Sequence, residues 1–130
     1  MNRRFDFWRH WLMGSIVITI FFGLALVALP DQSEGFFGWL LIEGDTYADR
    51  FGEEGAEYVT FLTGVLGSVI VGWGFLMAVI VARPLRNHEP WAWWALFGSL
   101  VLWFVVDSVL SVVSGYRSNV ALNLVFLVAF

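Results

Sequence analysis

One acid is set inside an apolar stretch of helix length: Asp107, in the run Trp91 to Gly115, WAWWALFGSLVLWFVVDSVLSVVSG. An ionised carboxylate at the centre of a membrane-spanning helix costs roughly 2.5–3.5 kcal/mol on insertion scales, so such a group faces protein or water and has partners. Its chemistry is that of a general acid or base or, when protonated, of a hydrogen-bond donor. With about 3.6 residues per turn, Trp103, Asp107, Ser111 and Ser114 fall in one sector, with Ser108 at its side. Valines and leucines at 101, 102, 105, 106, 109, 110, 112 and 113 fill most of the remaining circumference, a surface suited to lipid or tight packing. The polar stripe is therefore expected to face other helices.

Counting about 1.5 Å per residue, Asp107 lies about 10 Å below the helix end at Ser114. The same depth falls near Asn123, near Thr60 to Gly64 and near Gly23. Asp107, Ser108, Ser111, Asn123, Thr60 and Thr63 are accordingly expected to form one buried polar cluster, roofed by Tyr116 and Arg117. Two readings of it stay open. It is either a packing device whose interhelical hydrogen bonds contribute about 0.6 kcal/mol each, or a small cavity for a lipid-like or small polar molecule with Asp107 as its ionisable group.

The other chemistry-bearing residues point to less. Residues 31–57 hold eight acids and one base, Arg50, which invites a calcium reading. With Asp45 as the first ligand position, Tyr47 falls on the third and Arg50 on the position that needs glycine, so the EF-hand pattern fails and a solvated acidic face is expected. His10 and His88 both flank apolar runs and are expected at a membrane surface, not inside a bundle where they could ligate a metal or haem. The absence of cysteine excludes disulfides, thiolate nucleophiles and thiolate-bound clusters. No metal site and no cofactor is expected.

The elements that would position Asp107 follow from composition. The 130 residues are 59% hydrophobic with mean hydropathy +0.76, and only 14% are charged, against about 25% in soluble domains. The expected fold is all-α: a polytopic membrane protein, a single domain over 1–130 built as a four-transmembrane-helix bundle, with helices over 11–30, 58–82, 91–115 and 119–130. The last is short: the 13 residues 118–130 reach about 20 Å, against a hydrocarbon core of about 30 Å. Either that helix stops inside the bilayer or the natural chain continues. Arg3, Arg4 and Arg9 precede the first helix against Asp6 alone, and Arg83 and Arg86 lie in the turn 83–90. By the positive-inside rule both segments are cytoplasmic, and residues 31–57 form an acidic extracytoplasmic loop. The expected location is the inner (cytoplasmic) membrane. The run Leu12 to Leu29 is too long for a signal peptide and lacks an A-x-A site. Trp8, Trp11, Trp91, Trp93 and Trp94 fit an interfacial belt. Pro30 is expected to end the first helix, the segment Phe36 to Ile42 to lie at the interface or as a lid, and Asn119 to N-cap the last helix.

Packing signals concentrate in the second span. Thr60, Gly64, Ser68 and Gly72 follow at four-residue steps, and Thr60, Gly67 and Gly74 at seven; both spacings let backbones approach closely. Ser15, Thr19 and Gly23 make a similar ridge on the first helix. The second span is thus the expected central helix, packing within the chain or in a homo-oligomer.

Through Gly64-Val65-Leu66-Gly67 with Gly72-Trp73-Gly74, Glu89-Pro90-Trp91-Ala92-Trp93-Trp94-Ala95, Trp103-Phe104-Val105-Val106-Asp107-Ser108 and Asn119-Val120-Ala121-Leu122-Asn123, the chain resembles a family of small bacterial integral membrane proteins. That resemblance implies a chain continuing past Phe130 into a basic tail; it implies no activity. The functional expectation is a non-enzymatic accessory subunit of a larger membrane complex, or a binder of lipid or of a small apolar ligand. A small membrane enzyme of the isomerase or hydrolase type using Asp107 is the alternative, and an oligomeric transporter the third. The lipid bilayer is the expected partner and nucleic acid is not.

Overall fold

The computed structural model describes residues 3–130. The chain is all-helical: α1 (Arg3–Ala28), α2 (Pro30–Leu41), α3 (Tyr47–Ile80), a π-helical turn (Val81–Leu85), α4 (Pro90–Val113) and α5 (Arg117–Ala129). Among the described residues three stretches are long and apolar enough to cross a membrane: Arg3–Ala28, Tyr47–Leu85 and Pro90–Val113. Only 22%, 22% and 17% of their apolar windows are buried. Helices apolar on every side, with so little of that surface covered, suit lipid contact. The helix α5 has 13 residues and falls short of a span.

The segment read as an outer loop is largely helical. Pro30 ends α1 as expected, but it also opens α2, because a first-turn proline needs no partner for its missing N–H and has a preset φ. Leu29 is the single residue between the two helices. The acidic stretch then enters α3 from Tyr47, eleven residues ahead of the expected start at Tyr58. Thr46 caps this end: its Oγ accepts from Asp49 N at 3.1 Å and donates to Asp49 Oδ2 at 2.7 Å. Gly52 breaks the helix with φ 75° and ψ 169°, a conformation that only glycine adopts at little cost. At the other end of α3, Pro84 lacks the N–H that a regular turn would use, and the helix widens into the π turn.

Residues 19–72 pack as one compact unit. Here α1 and α3 approach backbone to backbone: a β-carbon at Gly23 would sit 2.7 Å from Gly67 O, and one at Gly67 would sit 2.5 Å from Gly23 O and 2.8 Å from Leu26 Cβ. The helix α2 folds back onto α1, with the rings of Phe22 and Phe36 edge to face at 6.2 Å. The Ser33 hydroxyl donates to Leu29 O at 2.8 Å. Glu34 Oε1 accepts from Tyr47 N at 2.6 Å, so a carboxylate on α2 meets the N-terminal end of α3. Ile42 and Tyr47 are buried there.

Residues 3–18 with 73–130 form the other unit. Its core holds Ile16, Met77, Val81, Leu85, Ala92, Leu96 and Leu100. The rings of Trp73 and Trp103 lie 5.8 Å apart, and Phe126 meets Trp103 edge-on at 6.3 Å. Trp11 Nε1 and Ser15 Oγ both donate to Ala129 O at 2.9 Å, which satisfies a carbonyl that a helix C-terminus would otherwise leave open.

Candidate functional site

The hairpin of α4 and α5 builds the site. Its turn is a Schellman motif. Gly115 adopts φ 87°, Gly115 N donates to Val112 O at 3.2 Å, and Tyr116 N donates to Ser111 O at 2.8 Å. The chain reverses within three residues, so α5 runs back along the polar stripe of α4.

On that stripe Asn119 donates through Nδ2 both to Asp107 Oδ2 at 3.2 Å and to Ser111 Oγ at 2.9 Å. Ser111 in turn donates to the Asp107 carbonyl at 2.7 Å. One turn deeper, Asn123 Nδ2 donates to Ser108 Oγ at 3.2 Å. Asn123 and Ser111 are 2% and 6% exposed, while Asp107, Ser108 and Asn119 are half-buried. The three bonds that cross between the helices contribute roughly 2 kcal/mol together at typical membrane values. The donors of Ser111 and Asn119 are committed, but Asp107 Oδ1 accepts no bond among the described residues. The site can therefore receive a hydrogen-bond donor or a cation.

The structure brings together Asp107, Ser108, Ser111 and Asn123, four of the six expected residues. Thr60 and Thr63 belong to the unit of residues 19–72. There the Thr63 hydroxyl donates to Val59 O at 2.9 Å. Asn119, expected to N-cap the last helix, is instead the central donor of the cluster. The residue at the N-cap position is Tyr116, which makes no side-chain capping bond. The signal for Asn119 was its four-residue spacing from Asn123, which puts both amides on one face of an otherwise apolar helix.

Of the small residues marked for packing, Gly67 makes the close approach, against Gly23. A β-carbon at Gly64 or at Gly72 would meet nothing within 4 Å. Ser68 is exposed, with its hydroxyl turned back to Val65 O at 2.8 Å, and Gly74 is buried in the other unit. Among the described residues no three His, Cys, Asp or Glu side chains converge as a metal set. Arg50 and Asp45 make the one ion pair among them, at 3.8 Å and exposed.

Compared with family models, with curated proteins and with solved structures, the chain matches none. The resemblance carried by the motifs within residues 64–123 gains no support from these comparisons.

Proposed function

We propose that this chain is an integral protein of the inner membrane, crossing it with α1, α3 and α4 and entering it with the shorter α5, with a cytoplasmic N-terminus and residues 31–57 outside. It serves as an accessory subunit or binder that holds a small donor-bearing ligand or lipid group at the Asp107 cluster. The observation that carries this reading is Asp107 itself. Its carboxylate is half-buried and held by one neutral donor, the Asn119 amide, with Oδ1 open among the described residues. A carboxylate kept only for packing would gain by accepting on both oxygens or by being replaced with an uncharged residue. The Asp107 carboxylate is bonded by the Asn119 amide, which is neither base nor nucleophile, and the Ser111 hydroxyl is turned to the Asp107 backbone carbonyl, an arrangement that supports binding in preference to turnover.

The test is native mass spectrometry of the detergent-purified protein and of Asp107→Asn. The variant keeps the shape, and its amide oxygen can take the place of Oδ2 opposite Asn119 while its NH2 replaces the open Oδ1, so its melting temperature should stay within a few degrees of wild type while any copurifying molecule is lost. Retention of the same molecule by both forms, or none by either, would sink the ligand-binding reading.

The orientation has its own test. The chain has no cysteine, so Glu54→Cys and Asn87→Cys, both at exposed positions, each supply one thiol. An impermeant reagent on intact cells should label only the former. Labelling of Asn87→Cys alone would invert the topology.

A further inference from the structure

The unit of residues 3–18 and 73–130 joins the two basic segments of the chain. Phe5, in the first turn of α1, lies against His88, in the turn before α4, with ring centroids 4.3 Å apart. Arg3, Arg4 and Arg9 are thereby brought to the same end of the unit as Arg83 and Arg86. Each of these arginines lacks a carboxylate within 4.0 Å, since the ion pair of Arg50 with Asp45 is the only one among the described residues. The two acids of these segments do not compensate them. Asp6 forms no ion pair among the described residues, and Glu89 accepts from Trp91 Nε1 at 2.6 Å. Arg9 stands out further: its Nε is buried and has no hydrogen-bond partner, the one such side-chain atom among the described residues. The outer nitrogen Nη2 lies 3.3 Å from His10 Nε2, which carries no negative charge, so the Arg9 guanidinium has no counterion, and an oxygen anion reaching its outer nitrogens would supply one.

The surroundings indicate where that anion comes from. Trp8, Trp11, Trp91, Trp93 and Trp94 belong to the same unit and are each at least 50% exposed. Tryptophans of this kind sit at headgroup depth in a bilayer, which sets the arginines at the level of the lipid phosphates. A zwitterionic headgroup brings its own cation to a phosphate, whereas an anionic one leaves a net charge for the guanidinium fork. We propose that this end of the unit binds an anionic phospholipid, with its phosphodiester on Arg9 and on Arg83 or Arg86 and its acyl chains along the exposed tryptophans. The inference rests on the membrane reading above and is independent of the Asp107 cluster.

The experiment uses the full chain in phosphatidylcholine nanodiscs containing increasing phosphatidylglycerol, with retained lipid identified by native mass spectrometry. Wild type should retain phosphatidylglycerol over phosphatidylcholine. Arg9→Gln and the pair Arg83→Gln with Arg86→Gln should each reduce that preference about fivefold or more, the worth of one arginine near an anionic surface. Arg50→Gln should leave it unchanged, and Arg9→Lys should restore part of it, which separates lost binding from lost folding. Raised ionic strength should weaken the preference, and inorganic phosphate should not compete. An equal retention of both lipids by wild type, an unchanged preference in the arginine variants, or displacement by inorganic phosphate would overturn the proposal. Any of these in protein that still fractionates with membranes leaves the membrane reading standing and removes only the lipid site.

Discussion

Gly67→Ala should lower the melting temperature of the detergent-purified protein by roughly 5–10 °C, whereas Gly64→Ala, one turn away on the same helix, should leave it unchanged or raise it. The added group is the same methyl in both cases. What differs is what it meets. At Gly67 it would lie 2.5 Å from the Gly23 carbonyl oxygen and 2.8 Å from Leu26 Cβ. Both are on or next to backbone, so neither can move without displacing α1. Overpacking of this kind costs about 1–3 kcal/mol, and a shift of several degrees per kcal/mol is usual for chains of this size. At Gly64 nothing lies within 4 Å, and alanine gains up to about 1 kcal/mol of helix propensity. Gly23→Ala attacks the same contact from α1 and should behave as Gly67→Ala does. Equal melting of the Gly64 and Gly67 variants would remove the α1 to α3 contact from the fold.

That contact shows what the sequence could and could not supply. Small residues at four- and seven-residue steps marked α3 as a packing helix, and α1 carried its own ridge through Gly23. Spacing alone did not select Gly67 over Gly64, because the choice depends on where the partner's glycine falls. The α4 to α5 hairpin was more legible. The expected helices over 91–115 and 119–130 leave only three residues between them, and the polar stripe had to face whatever returned along it. Asn119 was misplaced because an Asn just after a turn reads as a cap; the Schellman turn starts α5 at Arg117, which carries Asn119 into the first turn and onto the stripe. The helix α2 was missed for a different reason. A proline closing one apolar helix hid its other role as the first residue of the next, and a 12-residue element is too short to register as a span.

The polar cluster yields the second large effect, and it separates structural from functional roles within the same hairpin. Asn119→Ala should destabilise the protein by about 2 kcal/mol. Two interhelical bonds disappear, and the half-buried Asp107 Oδ2 loses its donor, a loss that costs more than the bonds contributed. The paired change Ser108→Ala with Asn123→Leu should cost less than about 0.5 kcal/mol, although Asn123 is the more buried amide at 2% exposed. There both partners of the bond are replaced by apolar groups and no polar atom is left stranded. Unfolding measured in mixed micelles should therefore rank the less buried asparagine as the more important one, and the reverse ranking would mean that burial outweighs the tie to Asp107. Ligand retention should follow a different order. It should survive the paired change at Ser108 and Asn123, fall in Asp107→Asn, and fall in Asn119→Ala only as far as the carboxylate loses its position. A paired variant that folds but no longer holds the ligand would move the binding site from Asp107 toward the deeper Asn123 layer.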